Sequence, residues 1–596
     1  MEVSENFTGS ALSGKPQTWA SINWKRVLQN VRGMQMRIAK ATQESDWRRV
    51  KALQRTLTRS FSAKALAVKR VTENQGRRTA GVDHELWNTP ERKRSAIDDL
   101  QSRGYRPMPL RRVYIPKPNG KERPLGIPTM RDRAMQALFH LALDPVSEAT
   151  SDVNSFGFRV NRATADAGEQ LFICLSTRRN SKWVLEADIA GCFDNISHEW
   201  LLENIPMDKQ ILRKWLKSGI IFKGAFQHTL AGTPQGGIIS PTLANMTLNG
   251  LESGLKHYLT ELFGVVRTKR LRVNVVRYAD DFVITGITSE LLQDTIRPWV
   301  EAFLSERGLT LSKDKTRITH IEDGFDFLGW NFRKYSGTLL IKPNKKNALS
   351  FYRTVRETVM TNLGTTQEVL IRLLNPKIRG WALYHRHVAA REVFARMHSL
   401  IFRLLWQWAR RRHAKKSATW VKRRYFRSMR GSNWVFATND GGQNSGKNVE
   451  LFHIGRIAII RHIKIKGAYN PYDRQWESYG EVLRQRRMAG RMIHRKAWSA
   501  LYLSQGGKCA LCNEPITEQT GWHDHHIVYR LNGGSDALSN RVLLHPVCHQ
   551  NLHSLGLSVV KPALSKSSRR LELYAGKPAR TVLRGGCDGN IASLPD

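Results

Sequence analysis

Two adjacent carboxylates, Asp280 and Asp281, stand in the middle of the stretch VNVVRYADDFVITG at residues 273–286. The apolar residues on both sides predict a strand, a turn and a second strand, with the carboxylates at the tip. Two like charges this close repel each other unless a cation neutralises them. A pair of Mg²⁺ ions held by carboxylates can activate a 3′ hydroxyl and neutralise a pyrophosphate leaving group. The pattern therefore predicts a two-metal site for joining nucleotides.

A third carboxylate is expected at the end of another strand, where it can complete the ligands of such a site. The stretch KWVLEADIAGCFDNI supplies it, because apolar residues of a predicted strand precede Asp188 and Ile189 follows it. We predict that Asp188 joins Asp280 and Asp281. Asp194 lies close by in the chain and is predicted to be structural.

Cysteine and histidine residues near the carboxyl end have the spacing of a metal site. CALC supplies Cys509 and Cys512, and LLHPVCHQNLH adds His545 and Cys548, again with two residues between them. Four nitrogen and sulfur ligands suit a closed, tetrahedral Zn²⁺ that staples a small domain. With six cysteines in the whole chain, a disulfide scaffold is not expected. The alternative is a set of reduced thiols without metal.

The charge balance predicts an anionic partner. The chain has 596 residues, with 95 Lys and Arg against 50 Asp and Glu, and a formal net charge of +45. The length predicts several domains, and the positive surplus indicates nucleic acid; a solvated basic surface is the alternative. No apolar run reaches the roughly 20 residues that span a bilayer, and the polar start lacks the pattern of a signal peptide. No membrane partner is expected.

Seven motifs occur in the order in which reverse transcriptases carry them. RYADDFVITG resembles their YxDD motif, and EADIAGCFDNISHEWL resembles their first catalytic motif. The others are YIPKPNGKERPLGIPTMRDRAMQ, SFGFR, AGTPQGGIISPTLANMTLNGLE, GLTLSKDKTRI and FDFLGW. From about residue 18 to 560 the chain resembles the multifunctional proteins that bacterial group II introns encode. The resemblance implies a multidomain fold of α/β and α parts: a right-hand polymerase with fingers and palm, a helical thumb and maturase domain, a DNA-binding segment and a ββα-metal HNH domain.

The resemblance also implies domain boundaries. Helical spacing of apolar residues at 20–75 and 350–428 predicts helices there, and the turn-rich stretch NDGGQNSGKN predicts a linker. The predicted segments are a disordered lead-in (1–18), an N-terminal helical extension of the fingers (19–110), fingers and palm (111–335), thumb and maturase domain, also called domain X (336–430), a DNA-binding segment (431–490), an HNH endonuclease with its zinc knuckle (491–560) and a tail (561–596).

Roles in the polymerase site follow from the resemblance. Asp188 and Asp280 would bind two Mg²⁺, with Asp281 in a lesser role. Phe193 would lie under the sugar of the incoming dNTP, where a bulky ring excludes a 2′-hydroxyl. Core packing is the alternative reading of this ring.

Further residues are expected to meet the incoming nucleotide or to support the site. Gln235 of TPQGG would touch the nucleotide, and the guanidinium of Arg123 suits fork-like contacts with the triphosphate. Lys117 would also meet the triphosphate, and Lys315 would support the site. A solvated surface charge is the alternative for both lysines.

The helical segment after the polymerase motifs offers aromatic rings and cations for RNA. LNPKIRGWALYHRH resembles the maturase segment of group II intron proteins, and WARRRHAKK is a basic helix end. Aromatic side chains can stack on bases while cations meet phosphates. Core packing is the alternative for the two rings, and solvation is the alternative for the helix-end arginines. The predicted RNA-binding residues are Arg379, Trp381, Tyr384, Arg410, Arg411 and Arg412.

The stretch WHDHHIVYRLNGGSDALSNRVLLHPVCHQNLH begins between the two pairs of zinc ligands, includes the second pair and resembles the HNH nuclease motif. His526 would be the general base, because an imidazole pKa suits activation of water near neutral pH. Asn540 would tie the loop to this histidine and orient it, while His523 is predicted to be a surface residue. His545 stands where many such units carry a cysteine. A zinc finger that only binds DNA is the alternative. The residues predicted to surround one Mg²⁺ are His525, His549 and His553.

The resemblance implies an RNA-directed DNA polymerase that also assists the splicing of its intron RNA and nicks target DNA to prime copying, the process called retrohoming. The expected partners are the intron RNA, target DNA and dNTPs, while the oligomeric state stays open. The expected location is the cytoplasm of a bacterium, as a ribonucleoprotein associated with the nucleoid. Two alternatives are a splicing cofactor with an inactive polymerase and a reverse transcriptase with another role, such as defence.

Overall fold

The computed structural model of the chain divides into two compact units, residues 1–480 and 481–596. Helices and two mixed or antiparallel four-stranded sheets form most of the first unit, and the second is a small unit with a two-stranded sheet. The structure describes residues 18–116, 122–177, 180–222, 225–229, 231–233, 236–429, 431–438, 449–492, 496–518, 520–529, 534–535, 537–554 and 556–560.

Polar caps start the helices at the beginning of the first unit. The side chains of Asn23, Asp46 and Ser60 accept hydrogen bonds from backbone amides of the first turns, which otherwise have no partner. The apolar residues on the inner faces, such as Val31 and Val68, are fully buried. The helices are α1 (Trp24–Gln43), α2 (Trp47–Arg59), α3 (Phe61–Glu73) and α4 (Pro90–Asp99).

The polymerase-motif region forms two sheets with helices packed against them. One sheet has the strand order β2-β1-β4-β5, and the other has the order β6-β7-β3-β8. In chain order the elements are β1 (Leu110–Pro116), β2 (Glu122–Ile127), α5 (Met130–Thr150), α6 (Thr164–Leu175), β3 (Trp183–Asp188), α7 (Cys192–Asn195), α8 (His198–Asn204), α9 (Lys209–Leu216), β4 (Ile220–Phe222), β5 (Ala225–Gln227), α10 (Ser240–Thr247), α11 (Leu251–Arg270), β6 (Asn274–Tyr278), β7 (Asp281–Gly286), α12 (Arg297–Ser305) and β8 (Arg317–His320).

The β6-β7-β3-β8 sheet carries the predicted carboxylates. Strand β3 lies between β7 and β8 and is antiparallel to both, and β6 is antiparallel to β7. Val184, Leu185, Val283 and Ile284 are almost completely buried. Their burial explains why these strands read as continuous apolar runs in the sequence.

A helical bundle follows a three-stranded sheet. The apolar stripe of the long helix is buried, including Phe394, Ile401, Leu405 and Trp408, because such a stripe packs against neighbouring helices. The elements are β9 (Phe325–Phe327), β10 (Trp330–Tyr335), β11 (Thr338–Pro343), α13 (Lys345–Met360), α14 (Gln367–His385), α15 (Arg391–Arg412), α16 (Ala418–Tyr425), β12 (Phe426–Met429) and β13 (Ser432–Phe436).

An extended segment at 459–473 contacts the polymerase-motif region through polar side chains. The buried carboxylate of Asp166 at the start of α6 accepts hydrogen bonds from the amide of Ile465 and contacts the ring of His462. The hydroxyl of Tyr472 donates to the buried carboxylate of Asp144 on α5. This segment lies within the predicted DNA-binding segment, and that role stays a prediction.

The second unit holds a strand pair and flanking helices around its own apolar core, which includes Val542, Leu543 and Leu552. Its elements are the end of α17 (Glu477–Met492), then α18 (Lys496–Ser504), β14 (His523–His526), β15 (Arg541–Leu544) and α19 (Pro546–Ser554). Throughout the described ranges, no helix combines the length and apolar character needed to cross a membrane. The predicted multidomain α/β and α fold is confirmed.

Candidate active sites

The three predicted carboxylates meet at one edge of the β6-β7-β3-β8 sheet. In the antiparallel pairing of β3 with β7, Asp188 lies directly opposite Asp281. Asp280 lies in the two-residue turn between β6 and β7. A register shifted by one residue would turn these side chains to the other face of the sheet, so the register decides the site.

The turn that carries Asp280 is fixed by a buried arginine side chain and by close backbone packing. Ala279 has a positive φ of 59°, which L residues rarely adopt. The fully buried Arg277 donates from Nη1 to the carbonyl of Ala279 at 3.2 Å and to Oδ1 of Asn245 at 3.1 Å. Gly157 packs so closely under the turn that a Cβ there would collide with the amide of Ala279. These contacts fix the turn before any substrate arrives.

Burial and mutual repulsion raise the pKa values of Asp280 and Asp281. Desolvation, followed by the charge of Asp280 and the nearness of Asp188, raises the pKa of Asp281 to about 7. Desolvation and the charge of Asp188 also raise the pKa of Asp280. The ammonium of Lys315 supplies a cation to the cluster, with Nζ at 2.7 Å from Oδ2 of Asp188. Three clustered carboxylates offer hard oxygen donors whose negative charge one ammonium does not balance, and such a cluster fits a divalent cation such as Mg²⁺.

The structure describes two of the residues that are predicted to contact the nucleotide. Arg123 is exposed on β2, and its charge lowers the pKa of Asp280 against the overall rise. Phe193 on α7 is half-buried, and its ring lies edge-on to that of Phe158 with centroids 6.3 Å apart. Lys117 and Gln235 lie outside the described residues.

The predicted zinc ligands of the second unit form one cluster. The ligand atoms of Cys509, Cys512, His545 and Cys548 all lie within 4.8 Å of one another. Nε2 of His545 lies 3.1 Å from the carbonyl oxygen of Pro515, to which it can donate, so Nδ1 faces the thiols. Such a hydrogen bond orients a metal-ligating imidazole. The donor set fits a tetrahedral zinc ion.

A second cluster lies on β14 and α19. Nitrogen atoms of His525, His549 and His553 lie within 4.8 Å of one another. His549 and His553 are one helical turn apart, with ring centroids 4.7 Å apart. His526 follows His525 on the strand, so the two side chains leave β14 on opposite faces. The structure does not bring His526 into the cluster. The predicted role of His526 as a base stays a prediction.

Asn540 clamps the segment that follows His526. Its Oδ1 accepts from the amide of Val528 at 2.8 Å, and its Nδ2 donates to the carbonyls of Val528 and Ser535 at 3.0 and 2.8 Å. Its carbonyl accepts from the amide of Ile527 at 2.9 Å. Asn540 is thus placed to shape the loop beside His526, and its catalytic role stays a prediction.

The predicted RNA-binding aromatics of α14 make contacts inside the protein. Trp381 stacks on Phe351 with ring centroids 4.3 Å apart, and Tyr384 donates its hydroxyl to the carbonyl of Leu328 at 2.7 Å. Both side chains are half-buried. Arg379 lies over the ring of Phe452.

The arginines at the end of α15 differ in their contacts. Arg412 donates to the carbonyls of Leu363 and Thr365 at 2.6 and 2.7 Å, which ties the helix end to an adjacent loop. Arg410 and Arg411 are exposed. RNA contact for these residues stays a prediction.

Comparisons with known proteins match four family models. The chain matches "Reverse transcriptase (RNA-dependent DNA polymerase)" at 115–332 and "N-terminal domain of reverse transcriptase" at 19–100. It matches "Group II intron, maturase-specific domain" at 348–426 and "HNH endonuclease" at 509–555. Protein YkfC of Escherichia coli is 35% identical over 305 residues, which cover 44% of this chain and 78% of YkfC. The group II intron-encoded protein LtrA of Lactococcus lactis is 30% identical over 335 residues.

The chain belongs to the family of group II intron-encoded reverse transcriptases. The match to LtrA covers 46% of this chain and 55% of LtrA, so the chain spans about half the length of that relative. An uncharacterized 91 kDa protein in the cob intron of Schizosaccharomyces pombe is 28% identical, over 39% of this chain and 35% of that protein. A telomerase structure from Candida albicans matches with a TM-score of 0.30 at 12% identity, covering 54% of this chain and 65% of that one.

The family matches confirm the predicted reverse transcriptase, maturase and HNH endonuclease domains of this intron-encoded protein. They do not favour a splicing cofactor without a polymerase or a reverse transcriptase with an unrelated role.

Sequence reasoning gave no site role to two residues that contact predicted site residues of the intron-encoded protein. Phe158 of SFGFR adopts a positive φ of 57° and keeps 55% of its surface exposed, beside Phe193. His523, predicted to be a surface residue, is exposed but lies with Nδ1 3.3 Å from Nδ1 of His549. The period of two along β14 places His523 and His525 on one face, and this signal was present in the sequence.

Proposed function

We propose that this protein copies its intron RNA into DNA at the carboxylate edge of the β6-β7-β3-β8 sheet. The observation that carries the proposal is the pairing of Asp188 with Asp281 across adjacent strands, with Asp280 in the turn between β6 and β7. Asp188 and Asp280 would hold two Mg²⁺, and Asp281 would have a lesser role. Bound there, the two ions favour the ionised 3′ hydroxyl and neutralise the pyrophosphate.

Side chains near this edge bind and orient the incoming dNTP, and the exposed Arg123 meets the triphosphate. From the sequence motifs alone, Lys117 is also assigned to the triphosphate and Gln235 to the nucleotide. Phe193 lies under the sugar, where its ring leaves no room for a 2′-hydroxyl. Lys315, whose ammonium pairs with Asp188, supports the site by neutralising charge.

We further propose that the second unit nicks target DNA. His526 takes the proton from the attacking water, and Asn540 holds the loop that follows it. The cluster of His525, His549 and His553 holds one divalent ion. The sequence predicts Mg²⁺, but three imidazole donors suit Mn²⁺ or Zn²⁺ better than Mg²⁺, which prefers oxygen. The separate cluster that includes Cys509 holds a structural Zn²⁺.

The protein binds its intron RNA through the maturase domain and assists splicing, while the RNA supplies the splicing chemistry. The ribonucleoprotein then inserts the RNA into one strand of target DNA, the second unit cuts the other strand, and the new 3′ end primes copying. The net charge of +45 supports binding to both nucleic acids. We place this activity in the cytoplasm, with the ribonucleoprotein associated with the nucleoid.

Replacing Asp280 and Asp281 with Asn separates copying from splicing. The variant keeps the shape of the turn but loses the charges that hold the ions, so primer extension on RNA falls below detection while splicing of the intron continues. The matched control is Asp294→Asn, which changes an exposed carboxylate that is not one of the predicted metal ligands. Full extension by the double variant contradicts the polymerase site, and loss of splicing as well contradicts the separation of roles.

Replacing His526 with Ala tests the nuclease site. The loss of the base abolishes second-strand cleavage and leaves primer extension from a supplied 3′ end unchanged. Cleavage at the wild-type rate by this variant contradicts the assignment of the base.

A further inference from the structure

An aromatic cluster lies where α15 meets the β12–β13 hairpin. Trp434 on β13 has its ring centroid 5.5 Å from that of Trp406, 5.7 Å from that of Phe402 and 5.7 Å from that of Phe426. The four side chains form what we call the Trp434 cluster. Phe426 is buried at its base, and Phe402 and Trp406 are half-buried at its sides.

Trp434 itself is exposed. It keeps 42% of its surface accessible, so part of its ring can contact a partner. The ammonium of Lys422 lies 4.5 Å from the centroid of this ring. A cation over an exposed indole is held weakly and can turn aside toward a phosphate.

The charge of the surrounding chain is entirely positive. Between residues 402 and 436 there are 11 Lys and Arg and no Asp or Glu. An exposed aromatic ring among cations has the composition of a site for single-stranded nucleic acid, where bases stack on rings and cations follow the backbone. The positive charge of this segment is complementary to a polyanion, so a nucleic acid is the expected occupant.

The aromatic rings of Trp381 and Tyr384 in the maturase segment are less accessible to a stacking base than that of Trp434. Trp381 is stacked face to face on Phe351, with an interplanar angle of 6°, and its indole N–H donates to Asn347 at 2.7 Å. Tyr384 stacks on Trp330 and donates to a backbone carbonyl. A base that stacks on this part of the protein therefore meets Trp434 without displacing a ring contact of the core.

We propose that the Trp434 cluster is a stacking platform for an unpaired base of RNA. Lys422 then turns from the ring to the adjacent phosphate, and Arg423 and Arg424, both exposed, meet the neighbouring phosphates. The inference deepens the proposed function, because it rests on the binding of intron RNA and names an unpaired segment as the part recognised.

The test uses the full chain with poly(U) RNA, poly(dT) DNA and a blunt RNA duplex. Trp434→Ala weakens poly(U) binding about 10-fold, because stacking on an aromatic ring contributes that order of affinity per base. Trp434→Phe keeps a ring and retains most of the affinity. Duplex binding is unchanged in both variants, because paired bases cannot leave their stack to reach the ring. Tyr335→Ala is the matched control, since Tyr335 is also 42% exposed and lies near Arg333 and Lys342.

Two further readouts separate stacking from charge and from misfolding. Lys422→Gln reduces the salt dependence of poly(U) binding, whereas Trp434→Ala leaves that slope unchanged. Irradiation of 4-thiouridine RNA on the wild-type chain places a cross-link on Trp434 and none on Tyr335, which does not depend on any variant folding.

Unchanged poly(U) binding by Trp434→Ala, or cross-links that spare Trp434, overturns the proposal. A larger loss with poly(dT) than with poly(U) overturns it in favour of a DNA site. These outcomes are independent of the proposed polymerase site, which the Asp280 and Asp281 variant tests on its own.

Discussion

The pair formed by Phe158 and Phe193 leads to a prediction about sugar selection. The loop of Phe158 is tied to the strand of the catalytic turn, because the amide of Phe156 donates to the carbonyl of Arg277 at 2.9 Å and Asn245 donates to the carbonyl of Gly157 at 2.7 Å. Phe158 holds a left-handed backbone, which costs on the order of 1–3 kcal/mol, and such strain persists where the surroundings impose it. We expect its ring to support Phe193 as the gate against ribonucleotides.

The magnitude follows from the geometry of the two rings. Their planes meet at 79° with centroids 6.3 Å apart, which is an edge-to-face pair worth about 0.5–1.5 kcal/mol. If Phe158→Ala removes that support, the preference for dNTPs over rNTPs falls by about 2- to 12-fold, since 1.4 kcal/mol corresponds to about tenfold. Phe193→Val, which opens the gate itself, lowers the preference further.

The assay compares kcat/KM for dCTP and CTP in primer extension on RNA. Phe158→Asn separates loss of the ring from backbone strain, because Asn tolerates a positive φ better than Ala does. Phe158→Tyr keeps an aromatic ring, so we expect it to keep the preference for dCTP over CTP. In the double variant with Phe193→Val, the Phe158 substitution adds little, because the ring that it supports is gone. Full additivity, or a preference that Phe158→Ala leaves unchanged, refutes the reasoning.

Three further predictions concern the metal clusters and the extended segment. Cys509→Ser lowers the zinc content by about one ion per chain and lowers the melting temperature of the second unit; unchanged zinc by elemental analysis contradicts the assignment. His523→Ala weakens Mn²⁺ binding, followed by electron paramagnetic resonance in the Asp280 and Asp281 variant, by roughly 10-fold, because the imidazole that contacts His549 is lost. His523→Gln, which keeps a hydrogen-bonding group, retains more affinity, and equal affinities for all three chains speak against a positioning role. Tyr472→Phe leaves a buried carboxylate without its hydroxyl donor and lowers stability by about 1–3 kcal/mol in thermal denaturation, whereas an unshifted melting curve shows that this anchor is dispensable.

Parts of this protein could be predicted from local sequence because local geometry imposes them. The β6–β7 hairpin follows from two apolar runs around a short polar turn, and the pairs of zinc ligands follow from their spacing. The helices of 24–73 and 345–425 follow from apolar spacing and polar caps. Local signals suffice here because the interacting groups are neighbours in the chain.

The surroundings of single side chains were harder to predict. Trp381 and Trp434 are both tryptophans in basic, aromatic-rich stretches, yet one stacks on Phe351 and the other faces solvent. His523 is exposed, as predicted, but only the tertiary structure shows that its ring contacts that of His549 on α19. A periodic pattern gives the face on which a residue lies, but not the element that packs against that face.

The sequence by itself determined the family, the order of the domains' motifs and the residue types that could hold metal. Only the tertiary structure decided that Asp188 lies opposite Asp281, that Arg277 carries the turn beneath Asp280, and that Phe158 stands beside the candidate gate. The physical reason is that strand register and packing are settled by contacts between distant segments, whose free energy depends on how all the buried faces fit together.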